Sequence, residues 1–232
     1  HWGYFGGEIL EKTCHTKHLK TIEEINNILT DEMFISHATK IPLYVISVVS
    51  SQTELFSRLP QAIILNKKDI PLKNTYSTMG IDRMLTLFSA GCRYNFPCLV
   101  IDGGTALTFT GANENGELVG GAILPGVNLQ LNSLASNTDA LPSVKITNKI
   151  PSLWAMNTSE AIESGIIYTI IAGIKHFIND WQNQFSESQI ILTGGDAFLF
   201  KYYLDFFYPH IQNKIIVDQD LMFWGIKFII WA

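Results

Sequence analysis

The sequence predicts an α/β fold, with mixed sheets flanked by helices. Three observations carry that expectation. Short, wholly apolar runs recur along the chain and repeatedly stop at glycine-rich turns, as buried strands do. Stretches with apolar residues three and four apart lie between them, as in helices packed on a sheet. The composition is that of a chain that buries much surface: of 232 residues, 47% are apolar and 16% charged, against a usual charged share of about 25%.

The elements follow in order. His1 to Phe5 reads as a strand, Gly6-Gly7 as a hairpin turn, and Glu8 to His15 as its return. Ile22 to Leu29 has helical spacing. Leu43 to Val49 reads as a buried strand, followed by a short helix through Leu55 and a second strand from Ala62 to Leu65. Asn66 to Thr78 is polar, contains Pro71, and reads as loop. Gly80 to Gly91 places Ile81, Met84, Leu85 and Phe88 on one helical face. Cys98 to Ile101 is a strand ending at Asp102-Gly103-Gly104-Thr105. Ala106 to Phe109 and Leu118 to Leu124 continue the sheet, with Asn113 to Gly116 turning between them. Asn157, with Glu160 three residues on, caps a long helix to about Phe185, whose stripe uses Ile162, Ile166, Ile170, Ile174, Phe177 and Trp181. Ile190 to Leu192 is a strand ending at Thr193-Gly194-Gly195-Asp196, and a helical stretch follows it.

Charge and cysteine content narrow the function. Sixteen basic and twenty-one acidic residues give a net charge of −5, which argues against nucleic-acid or anionic-membrane partners. Mean hydropathy is +0.17, yet Ile162 to Ile178 carries Glu163, Lys175 and His176, and Leu221 to Trp231 is about half the roughly 20 residues a spanning helix needs. No membrane span and no export leader is expected. Leu221 to Trp231 reads as a core or interface helix. Cys14, Cys92 and Cys98 lack metal-ligand spacing and read as reduced core thiols of a cytoplasmic protein. His15 and His18 have no further spaced ligands and read as surface or packing residues.

The chemistry lies in the glycine turns. Asp102-Gly103-Gly104-Thr105, Gly120-Gly121 with Pro125-Gly126, and Thr193-Gly194-Gly195-Asp196 each end or bound an apolar strand. Glycine lets backbone N–H groups approach an oxyanion, and a threonine hydroxyl adds a donor. A carboxylate at a strand end can hold a cation that neutralises phosphate oxygens. One Gly-Gly pair reads as a tight turn; three at strand ends point to a nucleotide site. Neither a Walker P-loop nor a dinucleotide fingerprint occurs. An Asp-Gly-Gly-Thr turn running directly into another strand fits the hairpin phosphate loop of actin- and hexokinase-like proteins.

Several blocks, in order, resemble the type III pantothenate kinase family: Gly80-Ile81-Asp82-Arg83, Asp102 to Thr108, Gly120 to Gly126, Thr138 to Pro142, Asn157 to Ile162 with Ser164-Gly165, and Thr193 to Ala197. The resemblance covers most of the chain from Leu43 onward. It implies two ribonuclease-H-like lobes of an actin-like ATPase fold, residues 1–95 and 96–232. It also implies ATP-dependent phosphorylation of pantothenate, the first step of coenzyme A synthesis, by a cytoplasmic homodimer whose interface includes the long helix.

By position, the resemblance makes Asp82 the general base, with Gly80, Ile81, Asp82, Arg83, Tyr76 and Thr158 on pantothenate. It puts Gly103, Gly104, Thr105, Gly194 and Gly195 on ATP, and Asp102 on a monovalent cation, potassium or ammonium, beside magnesium. Tyr76 sits only four residues before Gly80, closer than in many members. Thr158 read by itself is a first-turn helix residue. The family's Asp-x-Gly-Asn-Thr/Ser phosphate turn would precede His1, so the expectation for these 232 residues alone is little or no turnover. Two other readings stay open: a non-catalytic regulator of transcription on the same scaffold, and a related small-molecule kinase with another substrate.

Overall fold

Two short sheets precede the main one. The computed structural model describes residues 1–30, 41–147 and 149–231. Strands β1 (Trp2–Gly6) and β2 (Ile9–Cys14) form an antiparallel hairpin. Helix α1 (Ile22–Thr30) starts at a cap in which Thr21 Oγ1 accepts from the Glu24 amide and Glu24 Oε2 accepts from the Lys20 amide. Strand β3 (Leu43–Val45), helix α2 (Ser50–Ser57) and strand β4 (Ala62–Ile64) follow, with β3 and β4 parallel. β3 is shorter than its apolar run because the Ser47 hydroxyl bonds both the amide and the carbonyl of Val49, turning the chain toward α2. Within the expected loop, Lys67–Asp69 forms one 3₁₀ turn closed by Asp69 Oδ2 accepting from the Asn66 amide.

Helix α3 (Ile81–Tyr94) leads into the main sheet. Its strands are β5 (Cys98–Gly103), β6 (Ala106–Ala112), β7 (Leu118–Pro125), β8 (Gln189–Thr193) and β9 (Ile215–Val217). Their order is β7-β6-β5-β8-β9, with β6 antiparallel to both neighbours and β8 and β9 parallel to β5. Helices α4 (Val127–Ser136), α5 (Thr158–Gln184), α6 (Ala197–Phe207) and α7 (Leu221–Trp231), with a 3₁₀ segment at Pro209–Lys214, complete the described elements.

Side chains alternate across a strand, and the two cores follow that rule. Leu99, Ile101, Leu107, Phe109, Ile190 and Leu192 face α4, α5 and α6. Cys98, Val100, Ala112 and Ile191 face α3 and α7. α5 is 27 residues long and apolar enough, by length and composition, to cross a membrane. Its stripe is instead committed to the sheet: Ile162, Ile166, Ile170, Ile174 and Trp181 are buried, while Phe177, expected in the stripe, is exposed and stacks on Phe109 at 4.1 Å. Asn157 Oδ1 caps α5 by accepting from the Glu160 amide at 3.0 Å.

Residues 138–147 and 149–157 form a strap without helix or strand. It is tied down by side chains of α5 and α6. Buried Glu163 accepts from the Thr147 amide (2.6 Å) and hydroxyl (2.9 Å). Ser164 donates to the Leu153 carbonyl, Tyr168 to that of Pro151, and Tyr203 to that of Lys149.

Candidate active site

The parallel pairing of β5 with β8 sets Asp102 opposite Thr193, so their glycine turns emerge side by side. The turns interlock. The Asp196 amide donates to the Gly103 carbonyl at 2.9 Å, and the Gly126 amide to the Thr105 carbonyl at 2.9 Å. Gly194 has φ +83°, and a Cβ there would run into Asp102 Oδ1 and the Gly103 carbonyl. Only glycine permits that close approach. Gly103 is buried within the junction, whereas Thr105 and Gly195 are exposed and Gly104 and Gly194 partly so.

The N-terminus of α3 comes to the same end of the sheet. Asp82 Oδ1 accepts from the Arg83 amide at 2.9 Å. Burial pushes the Asp102 carboxyl from 3.8 up to about 6, and the charge of Asp82 adds to the effect. Burial also raises Asp196, whose Oδ2 is enclosed without a hydrogen-bond partner. Among the described residues none of these three carboxylates has an ion-pair partner.

Arg83 is the opposite case. Its side chain leaves Asp82 and runs to β6, where Nε donates to Thr110 Oγ1 (3.1 Å), Nη2 to the Phe109 carbonyl (3.3 Å) and Nη1 to Tyr76 Oη (2.9 Å). Arg83 is 7% exposed, and no described carboxylate lies within ion-pair distance. Gly121 on β7 makes room for it: a Cβ there would press on the Phe109 carbonyl and on Arg83 Nη2. The site thus joins unpaired acids to an unpaired, held guanidinium, and a ligand with both cationic and anionic groups would neutralise it.

A cation fits this setting, but not as a closed protein cage. No cluster of three or more His, Cys, Asp or Glu side chains that could hold a metal occurs among the described residues. The desolvated Asp102 and the orphaned Asp196 Oδ2 would each gain from a positive partner, with phosphate oxygens completing the shell.

Tyr76, Gly80, Asp82, Arg83, Asp102 and the two glycine turns therefore gather around one end of the sheet, whereas the Ile81 side chain, expected on the substrate, is buried in the core between α3 and α7. Thr158 does not join them by any contact. It opens α5 and lines an open groove of about 440 Å³ with Gln130, Leu134, Leu141, Ile162 and Ile166, which includes neither Asp82 nor Asp102. Residue patterns missed Thr110 and read Gly121 as part of a turn at a strand end; Gly121 instead lies within β7, directly paired with Thr110, and both face Arg83. His15 meets His1 rather than a metal cluster.

A meander of three antiparallel strands extended by two parallel ones is the ribonuclease-H-like order. With a carboxylate at the end of its central strand and glycine turns beside it, the sheet defines a phosphate-handling α/β protein of the actin-like class. A solved structure of a conserved protein of the Baf family of transcriptional activators from Campylobacter jejuni has the same fold, with a TM-score of 0.62, 24% identity and 83% of each chain covered. The sequence pattern of the type III pantothenate kinases matches residues 1–180. A type III pantothenate kinase from Nostoc sp. is 41% identical over 99% of this chain and 90% of its own length. Another from Synechocystis sp. is 37% identical over 99% and 85%. The chain belongs to the type III pantothenate kinase family.

Proposed function

We propose that the protein transfers the γ-phosphoryl group of ATP to the primary hydroxyl of pantothenate. The observation that carries this reading is Arg83: a buried guanidinium, fixed on Thr110, Tyr76 and the Phe109 carbonyl, with no carboxylate of its own. It supplies a place for the substrate carboxylate at the end of the sheet where Asp82 and Asp102 lie. Asp82 accepts the hydroxyl proton as the substrate oxygen bonds to phosphorus and ADP departs; in a loose transition state that proton moves late. Thr105, Gly194 and Gly195 present backbone and hydroxyl donors to the phosphates, while the Gly104 amide closes the turn on the Ala106 carbonyl. Magnesium and a monovalent cation, the latter on Asp102, would neutralise phosphate charge.

Two further parts of the reading concern assembly and location. Trp154 and Met156, on the strap just ahead of Thr158, are 85% and 95% exposed, which supports a homodimer in which a second copy covers the strap and α5. The cysteines are unpaired, though only Cys98 is a core thiol, pushed by burial up to about 12, while Cys14 is half-buried and Cys92 exposed; free thiols are consistent with a reducing, cytoplasmic setting.

A coupled ADP-release assay on the full-length protein tests the reaction. Asp82→Asn should lower kcat by about 10²- to 10⁴-fold. Normal turnover by that variant would remove Asp82 from the role of base.

A further inference from the structure

On the α3 side of the sheet, pairing register lines up one row across four strands: Thr193, Asp102, Thr108 and Ile123. Alternation fixes the face. Their neighbours Leu192, Ile101, Phe109, Ala122 and Leu124 belong to the opposite core, while Thr110 and Gly121, two residues along, lie against Arg83. Strands are about 4.8 Å apart, so Ile123 lies about 10 Å from Asp102 across Thr108, and the Arg83 row lies about 7 Å further along. Ile123 is 63% exposed, the one apolar side chain in a row whose other members are Thr193, Asp102 and Thr108.

We infer that Ile123 is a specificity-determining residue that receives a branched apolar segment adjoining the reacting hydroxyl. The inference rests on the pantothenate reading. Pantothenate carries two geminal methyl groups on the carbon next to its hydroxymethyl group. With the hydroxyl at Asp82 and Asp102 and the carboxylate at Arg83, that carbon passes over Thr108, and its methyls meet Ile123. The contact removes apolar surface from water on both partners.

The test compares kcat/KM of the full-length enzyme for pantothenate and for an analogue lacking both methyls. Wild type should prefer pantothenate by about tenfold or more, the range set by methylene discrimination in apolar sites. Ile123→Ser should cut that preference to about threefold or less, Ile123→Leu should retain it, and the KM for ATP should stay constant. An unchanged preference in Ile123→Ser, or an equal loss with both substrates, overturns the inference and leaves the kinase reading standing. If wild type fails to phosphorylate pantothenate, the kinase reading fails and the selectivity inference falls with it. Thermal melts of each variant separate a folding defect from a loss of selectivity.

Discussion

Replacing Asp102 by asparagine should make the cation-free protein more stable, and increasingly so as pH rises. In the unfolded chain the Asp102 carboxyl has its usual value of 3.8; in the native state burial, reinforced by Asp82, pushes it to about 6. Well below pH 4 both states hold the proton and the group is neutral in its effect. Between the two values the unfolded chain ionises first, and above about 6 the native state carries a buried charge. At about 1.36 kcal/mol per pH unit, wild type gives up about 3 kcal/mol by pH 8 and about 1 kcal/mol at pH 4.5. A neutral amide at this position carries no such penalty, so Asp102→Asn should gain about 1 kcal/mol at pH 4.5 and about 3 kcal/mol at pH 8. The latter corresponds to a Tm about 6–12 °C higher for a chain of this size. Urea melts in metal-free buffer between pH 4.5 and 8 measure the gain. Magnesium or potassium should shrink it by stabilising wild type alone. A stability difference that does not change with pH, or that grows toward acid, refutes the reasoning, because any packing effect of the amide is constant with pH.

Three other outcomes follow from the site and its supports. Arg83→Met should raise the KM for pantothenate by about 30-fold or more, as loss of a buried charge partner does, with the KM for ATP unmoved; steady-state kinetics with each substrate varied distinguish the two. Gly194→Ala forces a side chain at φ +83° into Asp102 and Gly103, and should cost about 2 kcal/mol in denaturant melts. Glu163→Ala strips the Thr147 amide and hydroxyl of their acceptor and should cost about 2 kcal/mol. Limited proteolysis should then cut the strap faster, while Glu163→Gln, which keeps an acceptor, stays close to wild type.

Much of this molecule is legible in its sequence where the signal is local. Asn157 sits at the start of α5, apolar runs mark β5 and β8, and Ile81 to Phe88 carries the helical spacing of α3. Strand ends are less legible. Asp102 and Gly103 look like a turn yet remain in the ladder, paired with Thr108 and Leu107. α4 has only Val127 and Leu131 buried, too sparse a stripe to read, and β9 is three residues long. The strap has no period because its backbone is held by α5 and α6 side chains rather than by itself. In the site, Asp82 and Asp102 follow from motif, but the anchoring of Arg83 on Thr110 spans 27 positions and depends on how α3 crosses the sheet. The row from Asp102 to Ile123 exists only once strand register is set.

The β1–β2 hairpin divides its aromatic contacts: Trp2 meets Phe56 of α2 at 5.7 Å, while Phe5 turns to a helix far along the chain. Phe5 meets Trp224 edge-on at 5.4 Å, Lys227 sits over the rings of Phe5, Trp224 and Trp231, and Gly3 is closed over by Phe223. These partners all belong to α7, which follows every strand of the main sheet. On the ribosome, therefore, the hairpin is made early, and its Phe5 side finds its cover late. The Phe5 ring stays wet through synthesis of the whole five-stranded sheet, and a helix that leaves the exit tunnel only after that sheet is the one that seats it.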